Sequence, residues 1–229
     1  MIPIGDEPND PTSTPFVNWL LIAVNVAVFA LARLSVRDEV AYQAVVERYG
    51  SVPVSPSLGG MFTSMFMHAD VLHIGGNMLY LWIFGDNIEA RLGHLGYLAA
   101  YLATGLVGGL VDMALRPGSA IPGIGASGAI SGVLGMYLVG FPRNRVKMFV
   151  FVYWYVGVVL VPAWVVLVAF FLLQNLFPVL AGGTGLGGGT AYGAHLGGFA
   201  AGVLLFVVLL PALRRAGPSP EEWPPRRWS

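Results

Sequence analysis

A serine hydroxyl becomes a nucleophile when a neutral imidazole is placed to take its proton, and this chain sets both groups among apolar residues. Ser127 lies in GIGASGAISGVLG (123–135) and His195 in AYGAHLGGFAAG (191–202). Both are uncharged at rest, so burying them costs far less than burying a carboxylate-containing triad. Attack on a carbonyl also needs preplaced donors for the oxyanion. HADVLHIGGN (68–77) offers them: His73 and Asn77 are four apart, hence on one helix face, with His68 just ahead. Free backbone N–H groups where a helix starts at Ser127 would add to the set, helped by the positive helix end. The chemistry these residue types could do is acyl transfer to Ser127 with His195 as base.

Each cluster alone also has a plainer reading. His73 and Asn77 could be interhelical hydrogen-bond donors, and Ser127, Ser131 and Gly135 a small-residue stripe for close helix packing. His195 could be a packed, hydrogen-bonded histidine. A metal site is a weaker alternative, because His73-x-x-x-Asn77 lacks the glutamate of a zinc-protease helix. No metal and no cofactor is expected. Three separate segments bringing His73/Asn77, Ser127 and His195 to one level favours the chemical reading over chance.

The surroundings are those of a membrane protein. Of 229 residues, 56% are hydrophobic and 10% charged, against about 25% charged in a soluble domain. Formal net charge is zero and no basic run would hold nucleic acid. The absence of cysteine removes disulfides, thiolate metal sites and thiol nucleophiles together.

Apolar stretches long enough to cross about 30 Å of hydrocarbon fall near 16–34, 70–90, 95–115, 126–141, 147–177 and 192–213. The predicted fold class is therefore an all-α bundle of six transmembrane helices. The fifth stretch is long and holds Pro162, which suggests a single tilted or kinked helix. MIPIGDEPNDPTSTP (1–15) reads as a polar tail, 16–213 as the domain, and 214–229 as a basic, proline-rich tail. The first fifteen residues hold no Lys or Arg, so 16–34 reads as a first span rather than a signal peptide. With the N-terminus inside, the inner segments hold Arg91, Arg143, Arg145, Lys147, Arg214, Arg215, Arg226 and Arg227, and the outer ones Arg33, Arg37, Arg48 and Arg116. Eight against four favours both termini on the inner side.

The fourth span is short: Ser127 to Phe141 is roughly 22 Å of helix. With its foot at the inner interface, before Pro142 and RNRVK (143–147), its tip stops below the outer surface. Non-helical backbone at that depth is tolerated only inside protein or beside water, so Ser127 starts a helix next to a cavity. The segment 35–60 could include an amphipathic helix at the outer interface. The glycine-rich 182–189 loop is a candidate cap. No internal repeat is apparent.

The motifs resemble those of the rhomboid family of intramembrane serine proteases. GASG (125–128) matches its G-x-S-G nucleophile motif, AHLGGFAAG (194–202) its A-H-x-x-G-x-x-x-G base motif, and HADVLHIGGN its H-x-x-x-x-H-x-x-x-N segment; EARLG (89–93) is similar to E-x-R-x-G, and NWLLIAVNVAVF (18–29) to the usual first span. The resemblance implies Ser127 as nucleophile, His195 as base, and His73 and Asn77 with the Ser127 N–H as the oxyanion site. It also implies that His68 helps organise the first outer loop and that Glu89 and Arg91 are structural. Substrates would be single-pass transmembrane proteins, cut in the bilayer near the outer interface, in a bacterial inner membrane with the site opening to the extracytoplasmic side. Two positions depart from the family pattern: Gly59-Gly60 stand where many members have Trp-Arg, and Ser131 where many have an aromatic stacked on the base. A client-binding but inert rhomboid-like protein, or a channel or transporter using the buried histidines, are the competing functions.

Overall fold

A computed structural model of the chain describes residues 1–7, 14–36, 38–180 and 191–216. Helix α1 (Phe16–Ser35) is the first apolar run. Helices α2 (Glu39–Tyr49) and α3 (Leu58–Ser64) fill the segment that follows, each with its first turn capped by a side chain: Asp38 accepts from Ala41 N–H and Ser57 from Gly60 N–H. Helix α4 (Val71–Leu115) is 45 residues long but is not one rod, because Gly93 takes φ 71 and ψ 165. Side chains disfavour that region and glycine does not. The chain doubles back there: the Tyr97 hydroxyl lies 2.6 Å from where a Cβ on Gly85 would be, whereas residues twelve apart on a straight helix would be about 18 Å apart. The two runs, 71–92 and 94–115, cover the residues expected for the second and third spans.

Helix α5 (Ser127–Gly140) stands at the centre, with every residue from Gly128 to Tyr137 buried. Helix α8 (Tyr192–Ala216) packs against it at backbone distance. A Cβ on Gly198 would sit 2.0 Å from the carbonyl oxygen of Gly128, and one on Gly202 would sit 2.0 Å from that of Gly132. Small residues on both helices permit this approach, which sets the separation of whatever their outer ends carry. Among the described residues, three helices are long and apolar enough to cross a membrane: Phe16–Ser35, Val71–Leu115 and Tyr192–Leu213. Ser127–Gly140 is apolar but shorter, about 21 Å at 1.5 Å per residue.

Two expectations are corrected. The fold is not all-α, and 147–177 is not one long helix. Strands β2 (Arg145–Val152) and β3 (Tyr155–Pro162) form an antiparallel hairpin, and β1 (Ile2–Glu7), inside the expected polar tail, pairs with β2. The cause lies in the side chains: RVKMFVFV and YVGVVLVP are rich in β-branched and aromatic residues, which suit a pleated surface. Val146, Met148 and Val150 are buried on one face, while Phe149, Phe151, Val156 and Val158 are exposed on the other. Beyond Arg145 and Lys147 both faces are apolar, so most of the hairpin presents no polar alternation and looks like a continuous hydrophobic run. Helix resumes after Pro162, as α6 (Ala163–Phe171), a π turn (Leu172–Leu176) and α7 (Phe177–Leu180). The 182–189 loop and the tail beyond 216 lie outside the described residues.

Candidate active site

Ser127 is the first residue of α5 and His195 lies in the first turn of α8. His195 Nε2 is 2.7 Å from Ser127 Oγ. The other ring nitrogen, Nδ1, is 2.6 Å from Oδ1 of Asn175. Asn175 Nδ2 in turn donates to the Phe170 carbonyl at 3.2 Å. A carbonyl only accepts, so this bond sets which way the amide points. Oδ1 therefore faces His195, Nδ1 carries the proton, and Nε2 is left with a lone pair toward the serine. That is the tautomer a general base needs.

His73 and Asn77 lie one turn apart at the start of α4, where Asp70 caps the helix by accepting from His73 N–H at 2.8 Å. The Ala69 N–H donates to His73 Nδ1 at 3.3 Å, leaving Nε2 as the protonated nitrogen. That nitrogen faces the turn into α5: it is 2.8 Å from where a Cβ on Gly125 would be, and Ser127 Oγ is 3.5 Å from the same point. Gly125 has φ 123, so both its backbone and its neighbour require glycine. Asn77 is buried, and its Nδ2 has no hydrogen-bond partner among the described residues. A cavity of about 680 Å³ is lined by His73, Asn77, Tyr80, Ser127, Asn175 and His195. Two uncommitted side-chain donors thus lie beside a hydroxyl bonded to a neutral imidazole.

His68 does not line the cavity. It is fully buried in the loop ahead of α4, its ring edge-on to His73 with centroids 5.1 Å apart. Burial, and then the neighbouring His73, push its pKa down to about 4, so the ring is neutral. Its carbonyl accepts from Tyr42 Oη at 2.5 Å, and the Arg33 guanidinium lies 3.5 Å over the Tyr42 ring. Arg33 also donates to Glu39 at 2.8 Å and to the Ala69 carbonyl. The segment leading into Ser127 is held from the same side: Ser51 and Gly123 exchange backbone bonds of 2.9 and 2.8 Å, and Gly125 N–H donates to the Ser64 carbonyl at 2.9 Å. These contacts anchor the segment that holds α3, with Gly59 and Gly60 in its first turn.

Glu89 and Arg91 are far from the cavity and fasten helix ends. The Val17 and Asn18 N–H groups donate to Glu89 at 2.8 and 2.7 Å, and Arg91 donates to the Leu213 carbonyl at 3.1 Å. Ser131 is buried near the cavity and does not hold the base. Sequence reasoning missed Asn175, which does. Its only signal was a polar pair, Gln174-Asn175, inside an apolar run.

A bundle of apolar, membrane-length helices packed around a short central helix, with that helix's first residue facing a polar cavity, defines a multi-pass integral membrane protein. The Rhomboid domain family model matches residues 56–212. Similar proteins include Rhomboid protein 1, mitochondrial, of Saccharomyces cerevisiae, 33% identical over 194 residues, which are 81% of this chain and 51% of that protein. Presenilin-associated rhomboid-like protein, mitochondrial, of Homo sapiens is 32% identical over 131 residues, 56% of this chain and 34% of that protein. Rhomboid protease GluP of Bacillus subtilis is 32% identical over 140 residues, 59% of this chain and 26% of that protein. The chain belongs to the rhomboid family. It spans about half the length of the yeast relative and a smaller share of the other two.

Proposed function

We propose that the chain is an intramembrane serine endopeptidase that cuts single-pass transmembrane proteins with a Ser127–His195 dyad. The observation that supports this most is the 2.7 Å contact between His195 Nε2 and Ser127 Oγ, with the imidazole in the accepting tautomer. Ser127 Oγ attacks the scissile carbonyl carbon while its proton passes to Nε2. The carbonyl oxygen becomes an oxyanion, received by the Ser127 N–H, His73 Nε2–H and Asn77 Nδ2–H. The C–N bond breaks, the leaving amine takes the proton from Nε2, and the acyl group stays on Ser127. Water then attacks the ester, giving a proton to Nε2, which returns it to Ser127 as the acid leaves.

The proposed arrangement has six crossings: α1, the two runs of α4, α5, the α6–α7 run and α8. The basic residues at 143–147 and 214–215 favour an arrangement with both chain ends on the cytoplasmic side. The cavity then opens to the extracytoplasmic side of a bacterial inner membrane. Purified protein and a model transmembrane substrate test the proposal: Ser127→Ala abolishes cleavage, and undiminished cleavage by that variant would overturn it. The inert, client-binding reading rests on the departures at Gly59-Gly60 and Ser131. It predicts substrate capture with no Ser127-dependent product.

A further inference from the structure

We propose that Asn175 is a positioning residue, the third member of a Ser127–His195–Asn175 relay, and that it does for His195 what an aromatic at position 131 would otherwise do. The inference rests on the protease reading of the same site. Asn175 is 1% exposed and lies in the π turn between α6 and α7. A π turn inserts one extra residue into a helix, which rotates the side chains that follow relative to those before it. Phe171, four residues earlier, stacks on Phe199 with centroids 4.4 Å apart, and Phe199 lies four residues after His195. One turn of helix thus fastens α6 to α8 by ring stacking, and the next delivers Asn175 Oδ1 to His195 Nδ1 at 2.6 Å.

Ser131 leaves the ring of His195 with no aromatic from α5 to stack on. The amide supplies orientation and tautomer instead, because its Nδ2 is committed to the Phe170 carbonyl and only oxygen faces the imidazole. The proton balance is simple. Nδ1–H stays bonded to Oδ1 throughout, and only Nε2 gains and loses the proton of Ser127 and of water. Removing Oδ1 frees the ring to rotate and to put its proton on Nε2, where it cannot serve as base.

Two variants separate positioning from packing. Asn175→Leu keeps the branched heavy-atom shape and removes the acceptor; Asn175→Asp keeps an oxygen toward Nδ1 and, when protonated, can still donate to the Phe170 carbonyl. Steady-state cleavage of a transmembrane substrate is measured in detergent, with circular dichroism and thermal unfolding as controls and Ser127→Ala alongside. Asn175→Leu should lower kcat about tenfold or more with KM within about twofold, and Asn175→Asp should recover most of the loss. The proposal is overturned if Asn175→Leu keeps the parent kcat. It is also overturned if both variants lose activity equally along with thermal stability. Cleavage by the parent that persists in Ser127→Ala would sink the protease reading itself, and this role with it.

Discussion

Three side chains around Ser127, those of Asn175, His195 and His73, have their hydrogen-bonding roles fixed by a neighbour that can play only one part. The Phe170 carbonyl sets the Asn175 amide, the amide sets His195, and the Ala69 N–H sets His73, so that the two imidazoles lining the cavity present opposite characters, one accepting and one donating. The donors have their own test. In the proposed mechanism His73 and Asn77 act only on the charge that develops during attack, so His73→Ala and Asn77→Ala should each lower kcat about 10²- to 10³-fold with little change in KM, measured by cleavage of a transmembrane substrate. A rise in KM at unchanged kcat would assign them to substrate binding. His68, His73, Asn77, Ser127 and His195 were legible because polar groups in an apolar chain call for a reason. Asn175 was not, since its place depends on a π turn that no spacing in LLQNLF announces.

At the scale of elements, the pair exists only because α5 and α8 touch along their backbones. Gly202→Ala would place a Cβ 2.0 Å from the Gly132 carbonyl oxygen, so the helices would have to part. The expected cost is about 1–3 kcal/mol of stability, with activity falling further as the 2.7 Å contact opens. Gly59→Ala, where nothing lies within 4 Å of the added carbon, is the matched control and should leave both unchanged. Thermal unfolding and cleavage rate check the pair. The glycine stripes, the Gly93 turn and the short central helix could be anticipated from small residues, E-A-R-L-G and a fifteen-residue run. The hairpin at 145–162 could not, because from Met148 onward both of its faces are apolar and length alone suggested a helix.

For the whole molecule, the sheet is tied to the foot of the helix whose tip bears Ser127. Asp6 of β1 accepts from Asn87 Nδ2 at 2.8 Å and from the Tyr137 hydroxyl of α5, and its Oδ1 has no partner among the described residues. Burial, with the neighbouring Asp86 charge adding to it against the bonds from Tyr137 and Asn87, pushes the Asp6 pKa up to about 7. The folded state therefore holds this proton more tightly than the unfolded chain, whose value is near 3.8. The resulting stability is complete below about pH 3.8 and is lost as pH rises through about 7. Relative to Asp6→Asn, the wild-type melting temperature should fall by about 2–8 °C between pH 5 and pH 8. Parallel curves for the two proteins would place Asp6 outside the fold's pH response. No sequence pattern pointed to this tie, since it joins residues 131 positions apart through a strand read as a tail.

The central claim, that Ser127 is a nucleophile activated by His195, is tested most directly by mass spectrometry of the protein after exposure to a fluorophosphonate. The account predicts one adduct, on Ser127, formed by the wild type and absent from His195→Ala. An unlabelled Ser127 in folded wild-type protein, or labelling that is equal in His195→Ala, would contradict it.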